Sequence, residues 1–300
     1  MITPFSHMKA FAAGPAVKPS ASPPRPARGR QTSGGPNLAR GVLLAIVLLY
    51  VATLVLVPVI ALFPKALSDG ISAAWDASTG KNALLALRLT FILAAVAVLV
   101  NTVFGIILAM VMVRQNFWGK RFVNGIIDLP FVVSPVIVGF MFLVLFGRGG
   151  WLAPAAEFLA IKVAFSWPGM MLATIFVSLP FVCRELMPVL REMGIEHEQA
   201  AYTLGATRWQ TFWRVTLPGV RRALLYGVTL TFARAMGEFG AILIVGGAIA
   251  GRTETSTLFI FRSLENRQYV AAYSAALILA LISFVVLAGL ELVKRKQKEA

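Results

Sequence analysis

Ionisable residues are sparse in this chain, and those that interrupt apolar runs are the first places where chemistry could reside. Arg234 and Glu238 sit in one otherwise apolar stretch, at the i, i+4 spacing that lets two side chains pair along a helix face. Asp128 stands alone in another, shortly before Pro130 and Pro135. A charge near a bilayer centre costs on the order of 3 kcal/mol on insertion scales, so it faces inward and finds a partner. The Arg234 and Glu238 pair therefore reads either as a gate, with Arg234 attracting a charged solute and Glu238 restraining Arg234, or as a structural pair pinning the fifth span to the third. Asp128, beside helix-breaking prolines, reads first as structural. Other chemistry lacks its residues. Cys183 is the single cysteine, and the only histidines, His7 and His197, are far apart, which leaves no disulfide and no Cys or His metal cluster. The pairs Gly80-Lys81 and Gly119-Lys120 lack both the earlier glycine and the following hydroxyl of a P-loop. No cofactor and no catalytic residue are expected, and any nucleotide hydrolysis must reside in another chain.

The elements that position these residues follow from composition. Of 300 residues, 58% are hydrophobic and 14% charged, with a mean hydropathy of +0.78, against roughly 25% charged in an average soluble domain. About 20 apolar residues span a bilayer as a helix. Six stretches qualify: Gly41 to Pro64, Leu89 to Val113, Phe122 to Gly147, Val163 to Cys183, Ala223 to Gly251 and Tyr269 to Leu290. The expected fold is an all-α membrane protein of about six transmembrane helices, one domain over 41–293. Residues 1–40 hold seven prolines, four glycines, six Lys or Arg and no acid, the composition of a disordered basic tail, without the apolar run of a signal peptide. Residues 294–300 form a second basic tail.

A net charge of +15 would suggest nucleic acid in a soluble protein. Here its placement fits a membrane topology, and no nucleic-acid partner is expected. With the N-terminus inside, 19 Lys and Arg fall on the cytoplasmic side and 7 on the other, so both termini are expected in the cytoplasm. Arg88, near the outer end of the second span, is read as snorkelling to the interface, Cys183 as a buried thiol, His197 as solvated, and Gly105 as a helix-packing position.

The longest cytoplasmic loop, about 184–222, is patterned. Ala200, Ala201 and Leu204 offer a small-residue helical face, and Gly205 supplies a left-handed stop. Thr207 and Gln210 have capping-box spacing, Trp209, Phe212 and Trp213 follow at i, i+3, i+4, and Pro218 is expected to close the second piece. Two short helices joined by a glycine hinge result, which either dock into another protein or pack beneath the bundle as an interfacial turn.

The run Gln199-Ala200-Ala201-x3-Gly205-x9-Val215-x-Leu217-Pro218 resembles the EAA loop of ABC importer permeases, Glu-Ala-Ala-x3-Gly-x9-Ile-x-Leu-Pro, with Gln199 in place of Glu and Val215 in place of Ile. The resemblance implies the MetI-like permease architecture and a coupling helix seated in a cleft of an ATPase. It designates Gln199, Ala200, Ala201, Gly205, Val215, Leu217 and Pro218 as coupling residues, with Glu198 as a neighbouring acid able to serve for the missing Glu. The stretches Ile127 to Pro135, Ala173 to Val177, Arg184 to Leu186 and Ala233 to Ala241 resemble the sulfate/thiosulfate branch and its W-type subunit. The last stretch is shared with molybdate permeases, which leaves a molybdate/tungstate-type permease as the alternative. Thr253 to Leu258 departs from the branch, lacking a proline after Thr-x-Thr. By resemblance the partners are a T-type second permease, two ABC ATPase subunits and an extracytoplasmic (periplasmic) sulfate-binding receptor, all around a bacterial inner-membrane bundle in contact with lipid. Arg234, Glu238 and Asp128 become the candidate anion path or gate. A secondary transporter, the rival reading, is expected to show paired intramembrane carboxylates or discontinuous helices in inverted halves. A membrane enzyme is disfavoured by the missing catalytic clusters.

Overall fold

The structure is a computed structural model that describes residues 37–299. The N-terminal tail expected over 1–40 therefore lies, apart from residues 37–40, outside the described residues. In hydrocarbon every backbone donor and acceptor must be satisfied within the chain, which favours helices, and the described residues form α1 (Asn37–Ala66), α2 (Ile71–Thr79), α3 (Lys81–Arg114), α4 (Lys120–Val132), α5 (Pro135–Phe146), α6 (Ala153–Phe158), α7 (Trp167–Met193), α8 (Glu196–Thr203), α9 (Arg208–Thr211) with a π-helical turn after it (Phe212–Thr216), α10 (Leu217–Met236), α11 (Gly240–Gly246), α12 (Ser256–Glu265) and α13 (Tyr269–Glu299). Four of these, α1, α3, α7 and α13, are long and apolar enough to cross a membrane. Counted as one broken span each, the pairs α4 with α5, bent by 115°, and α9–α10 with α11, bent by 55°, bring the candidate spans to six.

The chain divides into two units, residues 1–52 and 53–300. Of the first, the opening part of α1 is described, and its Val42, Leu43 and Leu49 are exposed, as lipid-facing residues are. The second holds the core. Leu93, Met170, Ile242, Val245 and Leu258 cluster near one end, and Met112, Ile127, Val182, Leu186 and Leu190 near the other. Between them α3 presents small buried residues, Ala94, Ala97, Gly105 and Ala109, the side-chain type that lets helices approach without a hydrophobic driving force. Asn101 adds a polar tie, its Nδ2 donating to Ile175 O at 3.0 Å and Ser178 Oγ at 2.9 Å on α7.

The close approach has a measurable consequence. A Cβ at Gly105 would lie 2.7 Å from Val182 Cβ, and one at Gly227 on α10 would lie 2.8 Å from Val182 Cα, so α3 and α10 both press on α7 at one residue. Gly227→Ala must push backbone from backbone, an overpacking cost of about 1–3 kcal/mol. It should lower the melting temperature of the solubilised protein, while Gly125→Ala, which meets nothing within 4 Å, should not. Equal midpoints for the two variants would show that α7 and α10 separate freely.

Two spans expected to be continuous are broken. Val133 and Ser134 leave the helical region (ψ 130° and 137°); Pro135 excludes the α region for Ser134, the residue before it, and then opens α5 at a position that needs no N–H donor. The second break falls at Gly237 to Phe239, where Phe239 has φ −132° and ψ −60°. Broken helices were the feature expected of the rival secondary transporter, so their presence alone does not identify a class. Pro218 also differs from expectation. It opens α10 directly after the π-helical turn Phe212–Thr216, inside a run that is helical from Arg208 to Met236, instead of closing the preceding piece. The segment 184–222 is correspondingly less of a loop, with α7 continuing to Met193 and α10 starting at Leu217. Their polar ends carry Arg184, Arg191, Arg221 and Arg222 past the apolar run, which is why hydropathy alone ended the spans early.

Candidate functional site

The segment between α7 and α10 is built by two glycine stops and a cap. Gly194 (φ 64°) turns the chain at the end of α7. Gly205 (φ 82°) ends α8 in a Schellman arrangement, its N–H donating to Tyr202 O and that of Ala206 to Ala201 O, both at 3.0 Å. The capping box at Thr207 is formed in both directions, Gln210 N–H to Thr207 Oγ1 at 3.3 Å and Thr207 N–H to Gln210 Oε1 at 2.9 Å. The three aromatic residues then pack on one another, Trp209 with Trp213 at 5.5 Å and Phe212 with Trp213 at 5.4 Å between ring centroids. Leu204 is 88% and Trp209 69% exposed, an apolar tip without cover among the described residues. A hollow of about 320 Å³ opens between the two short helices, lined by Ala201, Leu204, Gly205, Gln210, Arg214 and Val215.

Of the expected coupling residues, Gln199, Ala200, Gly205 and Pro218 are exposed, while Ala201, Val215 and Leu217 are half-buried. Glu198, the neighbouring acid, turns towards the bundle and takes an ion-pair partner there. Its Oε1 accepts from Arg114 Nη2 at 2.9 Å and from Thr216 Oγ1 at 3.0 Å, leaving the side chain 13% exposed. Arg114 also donates through Nη1 to Leu190 O at 3.2 Å. The carboxylate thus fastens α8 to the end of α3 and to the π-helical turn before α10, and Arg114 carries the tie on to Leu190 of α7. Sequence reasoning counted Arg114 only as a topological charge, because a partner 84 residues away leaves no periodic signal.

The charged residues within the spans divide between two places. Arg234 and Glu238 pair, Nη1 to Oε2 at 2.6 Å, with Glu238 only 1% exposed, but they do not share a helix, since α10 ends at Met236. Glu238 instead occupies the break. Its Oε1 accepts the Ala241 N–H at 3.1 Å, one of the donors a helix start leaves unpaired, and its carbonyl accepts from Thr257 Oγ1 at 2.7 Å. The start of α11 lies against the start of α5, where a Cβ on Gly240 would meet Val136 Cγ2 at 3.0 Å. The two breaks thus touch. Asp128 has a separate partner, Arg184 of α7, at 2.5 Å, and Arg184 also donates to Asn124 O at 3.2 Å. Cys183 is buried, His197 exposed and Arg88 exposed, as expected.

A further buried pair escaped the sequence. Glu254, 1% exposed, receives two bonds from Arg262, at 2.5 and 3.1 Å. The residues are eight apart and Glu254 precedes α12, so no helical spacing linked them. The surrounding Thr253, Thr255 and Ser256 are buried as well, with Thr253 Oγ1 donating to Gly246 O at 2.7 Å and the Ser256 N–H donating to Thr90 Oγ1 of α3 at 2.9 Å. The stretch that departs from the sulfate-branch pattern is a polar knot tying the end of α11 and the start of α12 to α3.

The model of the family "Binding-protein-dependent transport system inner membrane component" matches residues 101–299. The sulfate transport system permease protein CysW of Synechococcus elongatus is 47% identical over 245 residues, 82% of this chain and 86% of that protein. CysW of Synechocystis sp. is 46% identical over 254 residues, 85% and 92% of the two chains, and the sulfate transport system permease protein CysT of Escherichia coli is 38% identical over 240 residues, 80% and 87%. Among solved structures, a bacterial alginate ABC transporter in complex with an alginate pentasaccharide-bound periplasmic protein has a chain of the same fold, with a TM-score of 0.72 at 20% identity, covering 87% of this chain and 96% of that one. The chain belongs to the family of binding-protein-dependent transport system inner membrane components: it is a multi-pass inner-membrane permease subunit of an ABC importer, not an enzyme, and ATP hydrolysis is the work of a separate ATPase subunit.

Proposed function

We propose that this permease carries sulfate, and that the segment Gln199 to Pro218 couples the path to ATP hydrolysis. The substrate reading is supported by relatives named as sulfate permeases at 46–47% identity over more than four-fifths of the chain. The observation that carries the coupling reading is the Glu198, Arg114 and Thr216 cluster, because it fastens an exposed apolar tip to α3, to α7 and to the π-helical turn that leads into α10. A force applied at Trp209 or Leu204 reaches the spans through that anchor instead of being absorbed by a hinge. In this reading the tip and the hollow beside Ala201 seat in the ATPase, Glu198 positions the segment, and a T-type permease supplies the other half of the path. A sulfate-binding receptor delivers the ion from outside. Arg234 stands beside the path with Glu238 holding it, and Asp128 with Arg184 clamps α4 to α7.

The orientation proposed is both termini cytoplasmic, from the 19 to 7 basic asymmetry. In cells lacking their own sulfate importer, the chain expressed with its T-type permease, ATPase and receptor should restore uptake of labelled sulfate. In the same cells a cysteine replacing Asp76 should react with an impermeant thiol reagent added outside, and one replacing Gln199 should react only after the membrane is opened. Uptake of molybdate in preference to sulfate would overturn the substrate reading. Outside labelling at Gln199 alone would invert the topology and remove the coupling role.

A further inference from the structure

Among the described residues the buried carboxylates Glu238 and Glu254 are paired, whereas two exposed arginines share a cavity at the end of the permease away from the coupling segment. Arg88 and Arg252 line one cavity of about 250 Å³, together with Leu85, Leu89, Trp167 and Glu254. Neither guanidinium has a hydrogen-bond or ion-pair partner among the described residues. The one carboxylate in the cavity, Glu254, is already taken by the two bonds from Arg262. The wall therefore carries two positive charges with nothing to neutralise them.

Both arginines stand on fixed backbone. Arg88 lies in the unbroken α3. Arg252 follows Gly251, which is left-handed (φ 72°), and precedes the buried Thr253, whose hydroxyl is bonded to Gly246 O and the Ile249 N–H. The turn is joined to α3 through the bond between Ser256 N–H and Thr90 Oγ1, two residues from Arg88. A site whose charges are held by packed elements is ready for its ligand before it arrives. From Arg88 to Arg114, which grips Glu198, α3 rises about 39 Å at 1.5 Å per residue, somewhat more than the hydrocarbon thickness of a bilayer. The cavity is also smaller than the roughly 300–1,000 Å³ that holds drug-sized ligands. Its size and charge fit a small oxyanion.

We infer that Arg88 and Arg252 form a receiving site for a divalent tetrahedral oxyanion at the outer mouth of the permease, where the ion is held on release from the receptor and before it passes Arg234. This rests on the proposed anion transport and on the proposed orientation, and it gives Arg88 a role beyond interface snorkelling. Arginine suits the task because its planar fork binds oxyanion edges while remaining charged at any working pH.

The test uses the assembled transporter in membranes, with Leu85→Cys as a reporter one helical turn from Arg88. Cys183 is buried and serves as a silent background. The rates of modification by a negatively and a positively charged methanethiosulfonate are compared, each corrected for its rate with a free thiol. With Glu254 held by Arg262, the cavity carries net positive charge, and such a field raises the local concentration of a counter-ion about 10-fold or more. The anionic reagent should therefore react at least about tenfold faster, and added sulfate should slow it. With R88Q/R252Q the ratio should fall towards one and sulfate protection should vanish. Trp167→Cys gives a second reporter should Leu85→Cys fail to fold. A ratio near one in the parent, or sulfate protection that survives R88Q/R252Q, overturns the site. Labelled sulfate uptake in the same membranes reports separately on transport: normal parental uptake without protection sinks the site alone, and protection without uptake sinks the transport reading alone. Receptor-stimulated ATP hydrolysis should persist in R88Q/R252Q, and its loss would assign the arginines to receptor docking and contradict an ion site.

Discussion

Arg234→Ala is expected to cost about 3–5 kcal/mol, the range for removing one member of a buried ion pair, and hence a large part of a domain's net stability of about 5–15 kcal/mol. Glu238 is 1% exposed and would be left charged at the break between α10 and α11 with no cation beside it. Arg234→Ala/Glu238→Ala should be milder than Arg234→Ala alone, because it removes the stranded charge, though it still gives up the acceptor for the Ala241 N–H. Folded yield and melting temperature in detergent measure the structural effect, and sulfate uptake at matched permease levels measures the functional one. Poor folding of the single variant with partial recovery in the double identifies a structural clamp. Normal folding with uptake lost only where Arg234 is missing assigns Arg234 to the path. Parental folding and uptake in all three would remove both roles.

How much of this was legible in the sequence depends on the range of the interaction. The all-helical membrane class was legible because apolar run length is a local quantity, and all six expected stretches contain a span or a broken span. The caps at Gly205 and Thr207 were legible because they need only neighbouring residues, and both formed as their spacing implied. The ends of the spans were not. Beyond the apolar run α7 continues through Arg184 to Met193, where helical hydrogen bonds persist after hydropathy has changed sign. The breaks were only half legible. Pro135 acts on its neighbour and stops α4, but Gly237 to Phe239 depends on Glu238 finding Arg234 on one side and Ala241 on the other. Least legible were the ties between distant segments, Glu198 to Arg114, Asp128 to Arg184 and Glu254 to Arg262. Each consists of ordinary charges at no helical spacing, whose pairing appears only in the folded chain.

The coupling segment should fail in two distinct ways. Ala201→Trp puts a large ring into the 320 Å³ hollow between α8 and α9, so it should block whatever enters there while leaving membrane insertion intact, since the segment lies outside the spans. Gly205→Val works through the backbone. Nothing lies within 4 Å of a Cβ at that position, but φ is 82°, where a β-branched residue is a genuine outlier. The α8 stop should open and the Thr207 cap should shift. Both variants are expected to reach parental levels in the membrane and to lose sulfate uptake, with the ATPase failing to co-purify with Ala201→Trp. Loss of uptake with the ATPase still bound would place the defect in transmission through the Glu198 anchor. Parental uptake in Ala201→Trp would return the segment to a packing role.

Site-directed cross-linking measures most directly the proposed transfer of motion from a separate ATPase through this segment to a sulfate path. Gln199→Cys places one exposed thiol on α8, with the native Cys183 buried. In membranes holding the full transporter, a short thiol-specific photo-cross-linker at that position should join the permease to the ATPase subunit on illumination, and ATP-dependent sulfate uptake should stop as the cross-link forms. If illumination yields no permease-to-ATPase adduct while the transporter continues to import sulfate, the coupling surface lies elsewhere on the chain and the account is contradicted.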